Sequence, residues 1–440
     1  MKIREYNLPD TSRWIKAFPF YYGWVIVAVA GVTHFASAPG QTYVSSVFLE
    51  PMIQEMNWSR TLFSGTYTLA SLSAAALMIV VGKALDRFGS RKTMVVLCVS
   101  MGIAAIWMSG VNTGWQLFLG FAALRTIGQG SFSLVSSAMI GTWFIKMRGR
   151  ATAVASFGGA AGMGVFPVLV HFLIVQFGWR FTWSILGITV WCILLVPAIF
   201  LLRRSPESVG LLPDGIRTTV KTNDRSPLGN SSLGNDEVSY TLSQALRTRS
   251  LWMLTFSSIA MPLVMTGLMF HHVSLMGSQG ISSGMAAATL GLFGPLVLIA
   301  SVLAGILVDR FPGRFLLALG QVTLAIAMLW FFIIGSPWQA IVYVVIAAAS
   351  VGIVNNAGTV IWANYFGRTY LGSIRGFAST VMVGFSAMGA LPFGLIYDWT
   401  GTYDIALWIL MVLPVVALVF ALLAFPPISQ TRGNEDMSVV

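Results

Sequence analysis

Long apolar runs follow one another along almost the whole of this 440-residue chain. A bilayer core of ~30 Å takes a helix of ~20 such residues. That ruler gives twelve spans, roughly 20–48, 61–82, 93–111, 115–143, 151–175, 180–202, 250–276, 284–308, 314–334, 337–366, 374–396 and 403–426. Strands are excluded because the runs are too long and show no period-two alternation. The fold class predicted is an all-α membrane protein with twelve transmembrane helices. Composition agrees: 9% of residues are charged, against about 25% in soluble domains. Such a chain cannot cover a soluble globule.

The charges give the spans a direction. With the N-terminus cytoplasmic, only Arg60 and Arg180 fall on the outer side and Arg125 falls in the membrane. Removing those three leaves 23 of the 26 Lys and Arg residues on the inner side. This is the positive-inside pattern with both termini cytoplasmic. The net charge of +11 is therefore a topology signal, and nucleic acid is not an expected partner. The expected setting is a cell membrane, of the bacterial inner-membrane type. Lys2, Arg4, Arg13 and Lys16 precede the first run with no small-residue cleavage site after a short core, so no cleaved signal peptide is expected.

Cys98 and Cys192 both lie in apolar runs, which argues against disulfides and thiolate metal sites. No histidine has a zinc-type partner, and no phosphate loop, nucleophile elbow or dinucleotide fingerprint is present. No cofactor, metal or enzymatic activity is expected. A soluble segment at 203–249 is linker-like at its start and has helix-forming periodicity over 240–247. It is too short to be a signalling domain, which argues against a receptor.

The chain is internally duplicated. GKALDRFGSRK at 82–92 lies between the second and third spans, and GILVDRFPGR begins 223 residues later between the eighth and ninth. Arg150 to Pro167 and Arg375 to Pro392 are a second pair, each with Gly three residues before Pro. The expected division is a cytoplasmic tail at 1–19, a six-helix bundle at 20–202, a cytoplasmic loop at 203–249, a second six-helix bundle at 250–426 and a cytoplasmic tail at 427–440. Parallel halves place a substrate site near the midplane at their interface, which suits alternating access.

These motifs resemble those of the major facilitator superfamily. GKALDRFGSRK matches its signature G-x-x-x-D-R-x-G-x-R-K, and RTIGQG at 125–130 is similar to its second motif. Tyr22-Gly23-Trp24, Pro39-Gly40, Asn57-Trp58-Ser59-Arg60, Ser250-Leu251-Trp252, Tyr365-Phe366-Gly367-Arg368 and Gly372-Ser373-Ile374-Arg375-Gly376 look like the monocarboxylate and oxalate:formate branch. The resemblance implies two six-helix bundles that rock about a central cavity lined by helices one, four, seven and ten. It implies a gating role for Asp86, Arg87, Arg91, Asp309 and Arg310.

Candidate binding residues follow from depth. Arg125 lies ten residues into its span, hence ~15 Å deep, where a cation is costly unless paired or hydrated. Gln129 and Ser136 share its face at helical spacing. His34 lies ~18 Å deep and is a candidate for substrate or proton. His171, His271 and His272 lie ~30 Å along their helices, where an interfacial role is expected, and His271 is kept as a second candidate for proton coupling. Tyr43 follows the Pro39-Gly40 break. Asn355 and Asn356, with Thr359 and Trp362, form one polar and aromatic face in span ten. No Asp or Glu lies in the interior of any span, so a proton would ride on a histidine or on the substrate's carboxylate.

The chain departs from the branch at two places. Ser301 and Val297 stand where its monocarboxylate carriers place an Arg and an Asp, and 374–396 lacks the Lys of its oxalate carriers. The expected function is secondary transport of a small organic solute, foremost a monocarboxylate or related organic anion, by a monomer. A neutral aromatic solute such as riboflavin is the alternative, and efflux a more distant one.

Overall fold

The computed structural model describes residues 19–144, 147–215, 240–308, 310–367 and 371–427. Among these residues every regular element is helical. Among the described residues, nine helical stretches are long and apolar enough to cross a membrane: Arg60–Leu85, Arg87–Ser109, Arg150–Phe200, Arg249–Phe270, Ser283–Val308, Gly313–Phe331, Pro337–Phe366, Phe377–Thr400 and Asp404–Leu423. Large apolar side chains stand exposed along them, among them Val96, Phe157, Val302 and Trp399. Such surfaces suit lipid as solvent.

The remaining expected spans are helical but irregular, for local reasons. The run at 20–48 is split by a tight turn, Ala38–Gly40, into helices Gly23–Ala36 and Thr42–Met56. Pro39 sits at the head of that turn, where it lacks a backbone N–H to continue the ladder. The second helix then runs eight residues past the expected end of the span, to Met56. It stops where Asn57 adopts the left-handed conformation at φ 51°. The run at 115–143 carries a wide π-type turn, Arg125–Ser131, between Gly114–Leu124 and Phe132–Trp143.

The two irregularities pack on each other. A Cβ on Gly40 would stand 2.2 Å from the Leu124 carbonyl oxygen, and one on Gly128 would stand 2.8 Å from the Gly40 Cα. Only hydrogen as a side chain lets these backbones approach so closely. Two further glycines turn the chain between spans. Gly89 at φ 78°, ψ 165° and Gly178 at φ 77°, ψ 164° occupy a region essentially closed to other residues.

The helices cluster into two compact units. The first comprises Met1–Thr218, Gly267–Pro295 and Ala390–Tyr403. Its core is aromatic: Phe48 stacks on Trp183 at 4.0 Å between centroids, and Tyr21 donates its hydroxyl to the Trp143 carbonyl at 2.8 Å. The second comprises Thr219–Thr266, Leu296–Gly389 and Asp404–Val440. Here the Gln321 amide donates to the Ser257 carbonyl at 2.9 Å, and Ser350 Oγ donates to the Gly320 carbonyl at 2.8 Å. Two of the branch-like motif residues share one task in it. Ser250 Oγ donates to the Phe425 carbonyl and Tyr365 OH to the Ala424 carbonyl, tying the chain just past the end of the Asp404–Leu423 helix. Leu242–Leu246 is helical, capped by a reciprocal Thr241–Gln244 box.

Candidate functional site

The first cluster is built around Arg125. The break at Ala38–Gly40 frees the Gly40 carbonyl, and Arg125 Nη1 donates to it at 3.3 Å. The same nitrogen donates to Thr42 Oγ1 at 3.3 Å, and Nε donates to Ser71 Oγ at 3.0 Å. The guanidinium carbon lies 4.7 Å from the centre of the Tyr67 ring, a cation–π contact. Tyr67 OH and Thr42 Oγ1 hydrogen-bond at 2.7 Å. Arg125 is 4% exposed. Every one of these partners is neutral, and among the described residues neither an acid nor any partner for Nη2 is found. A buried cation held only by dipoles attracts an anion strongly, because its charge is poorly screened. The polar stripe expected at helical spacing is not formed. Ser136 is buried but Gln129 is exposed, since the wide turn breaks the 3.6-residue period that i, i+4 pairing assumes.

The second cluster was not anticipated. Glu50 and Arg60 face each other across the Asn57 turn and form an ion pair. Arg60 Nε donates to Tyr403 OH at 3.0 Å, and its guanidinium lies 4.2 Å from the centre of the Tyr397 ring. Ser274 Oγ donates to the Glu50 carboxylate. Asp398 accepts from the backbone amides of Arg60 and Thr61 at 3.3 and 2.7 Å, a carboxylate at a helix N-terminus. Ser59 caps the same terminus through the Leu62 amide. His271 completes the set, with Nδ1 at 3.1 Å from Tyr403 OH and Nε2 at 3.0 Å from the Ala390 carbonyl. A cavity of about 530 Å³ opens beside the pair, with His171, Ser278 and Gln54 in its wall. Within the first unit the network thus ties the ends of spans one and two to Gly267–Pro295 and Ala390–Tyr403.

A parallel tie fixes Arg180. Arg180 Nε donates to Glu55 Oε1 at 2.9 Å, and its remaining nitrogens reach the carbonyls of Ser109 and Val111 and the Asn112 amide oxygen. Glu50 and Glu55 share the Thr42–Met56 helix. Ending span one at residue 48 concealed both. The available signal was an acid two residues past an apolar run, with a lone cation across the next turn.

The other expected residues are scattered. His34 is half-buried with its Cβ 3.8 Å from where a Gly159 side chain would begin, and no partner for its imidazole is found among the described residues. Tyr43 is 7% exposed, with its hydroxyl beside Gly162. His271 and His272 are buried, at 0% and 3% exposure. Each closes a helix–helix contact, His272 through Thr289 at 3.1 Å. In the second unit Asn355 is exposed, Asn356 donates to the Gly352 carbonyl of its own helix at 2.9 Å, and Trp362 is buried against Phe366. The side chain of Thr359, the remaining member of the expected face, lies outside the described residues.

Among the gating candidates, Arg91 donates to the Ile199 carbonyl at 2.6 Å and Arg87 lies over Phe88. Arg310 is exposed at a turn. The Asp86 side chain and Asp309 lie outside the described residues.

Comparison with known proteins bears on the family and the fold. The chain is 26% identical over 199 residues to the MFS transporter asaE of Aspergillus flavus, 44% of each chain. It is 28% identical over 170 residues to human monocarboxylate transporter 6, covering 38% of this chain and 33% of that one. The matches thus span less than half the length of these relatives. A D-xylose-proton symporter superposes with a TM-score of 0.68 at 16% identity, over 94% of this chain and 99% of the other, a likeness of fold. The Major Facilitator Superfamily description matches residues 30–381. With that match, the duplicated loop motif and the all-helical architecture together, the chain belongs to the Major Facilitator Superfamily of membrane transporters.

Proposed function

We propose that this transporter carries a small organic anion, foremost a monocarboxylate, by alternating access. The observation behind this reading is Arg125: a cation 4% exposed, surrounded by neutral oxygens and an aromatic ring. A substrate carboxylate supplies the missing opposite charge and is met by Nη2, the guanidinium nitrogen with no partner among the described residues. The likeness to human monocarboxylate transporter 6 supports the same class. His34 gives a proton-accepting group in the same span as the Gly40 break, and the fold neighbour is named as a proton symporter. The Asp86 motif and its copy at Asp309 act as the inner latch, with Arg87, Arg91 and Arg310. Both termini are cytoplasmic, and the rocking bodies are the halves at 20–202 and 250–426.

A neutral aromatic cargo is the second reading. It is favoured by Ser301 and Val297, which leave the second half without the charge pair of the monocarboxylate carriers. Thermal stabilisation separates the two, because a ligand that binds only the native state raises its Tm. Lactate or pyruvate should raise the Tm of the purified protein, and Arg125→Gln should remove the effect. Stabilisation by riboflavin with none by carboxylates overturns the anion reading.

A further inference from the structure

A second cavity, of about 390 Å³, is unlike the first. It lies in the first unit where the Gly89 turn meets the chain leaving span six. Five of its nine lining residues are cations: Arg87, Arg91, Lys92, Arg203 and Arg204. Ser90 and Ser208 add hydroxyls, and Gly89 leaves the floor without a side chain. Arg204 reaches over that turn, its Cγ 3.9 Å from where a Gly89 Cβ would stand. Two cations are held by the chain itself, Arg91 by the Ile199 carbonyl and Arg203 Nη1 by the Leu202 carbonyl at 2.9 Å. The acids near in sequence are Asp86 and Glu207, so cations outnumber them five to two. No acid is in the cavity wall among the described residues.

The surroundings are apolar. Phe88 lines the cavity and is 55% exposed, and Phe200, one residue past the Arg91-bound carbonyl, is 62% exposed. A basic pocket beside exposed aromatic rings at the end of membrane-spanning helices matches one chemistry, a phosphate monoanion carrying an acyl tail. A soluble phosphate would use the cations and leave the rings without a role.

We propose that this cavity binds the headgroup of an anionic phospholipid, with the phosphate among Arg87, Arg91, Lys92 and Arg204 and the acyl chains along Phe88 and Phe200. The site is separate from the Arg125 cluster and does not depend on the identity of the cargo.

The test uses the full-length protein in a neutral detergent. Melting is followed after adding phosphatidylglycerol, phosphatidylcholine or inorganic phosphate, in the parent and in Arg203→Gln/Arg204→Gln. Each basic residue near an anionic surface is worth roughly fivefold in binding, so the double variant, which removes the phosphate contact of Arg204 and a neighbouring charge, should weaken phosphatidylglycerol at least about fivefold. Phosphatidylglycerol should raise the parent Tm by at least about 3 °C, and phosphatidylcholine should not. Phe88→Ser should lower the phosphatidylglycerol response while leaving any response to inorganic phosphate intact. An equal response to both lipids, or an unchanged response in the double variant, overturns the proposal. A full response to inorganic phosphate alone makes this a soluble-anion site and overturns the lipid assignment. If the double variant does not fold, Arg204→Gln alone is read the same way, since its side chain is exposed.

Discussion

Replacing Glu50 by Gln tests whether its network holds one end of the first unit together. The substitution keeps the size of the side chain and an oxygen for Ser274, and removes only the charge facing Arg60. The Arg60 and Glu50 side chains are 18% and 23% exposed. They therefore lie between surface pairs, worth up to ~1 kcal/mol, and buried pairs, whose breakage costs ~3–5 kcal/mol. A cost of about 2 kcal/mol follows, a shift of roughly 30-fold between the tied and untied arrangements. Val47 reports on it. It lies one helical turn before Glu50, lines the same cavity and is 3% exposed. A Val47→Cys reporter in a Cys192→Ser background should react with a membrane-impermeant maleimide about 30-fold faster once Glu50→Gln is added. Arg60→Gln should give a similar gain, and the two together little more, because they break one interaction. Labelling within twofold of the parent in both variants would refute a locking role for the pair.

Three further outcomes are expected. Gly158→Leu should abolish monodisperse expression, judged by size-exclusion chromatography, because a Cβ there would stand 1.9 Å from the Gly31 carbonyl oxygen; normal elution refutes that packing. Asp86→Asn should slow transport at least about tenfold while leaving ligand-induced stabilisation intact, and equal loss of both would place Asp86 in folding or binding. Arg125→Lys should fold but lose most transport, since an ammonium cannot reproduce the donors to Ser71, Thr42 and the Gly40 carbonyl; parent-like kinetics would show that only charge is required there.

The architecture was legible because lipid imposes a coarse rule, ~20 apolar residues per span, and because the loop motif occurs twice. What escaped the sequence is finer. The Glu50–Arg60 pair is ten residues apart, but its other members, His271, Ser274, Asp398 and Tyr403, are more than two hundred residues away. No local periodicity brings them together. Gln129 was misplaced because spacing arguments assume a regular helix, and the Arg125–Ser131 turn is not one. The absence of acids from the span interiors depends on where spans one and eleven are cut, since Asp398 lies two residues past the expected end at 396, within Phe377–Thr400. The Thr42–Met56 helix carries Glu50 and Glu55 past residue 48, each paired with an arginine. Arg125 itself follows from depth alone, while its neutral surroundings, on which its proposed role rests, needed the Gly40 break to be seen beside it.

The most direct measurement is uptake of a radiolabelled monocarboxylate into liposomes holding the purified protein. Saturable uptake that exceeds empty vesicles, and that falls to their level in Arg125→Gln while the variant elutes as the parent does, is the predicted result. Absence of saturable carboxylate flux in the parent, or equal flux in Arg125→Gln, would contradict transport of an organic anion through this arginine.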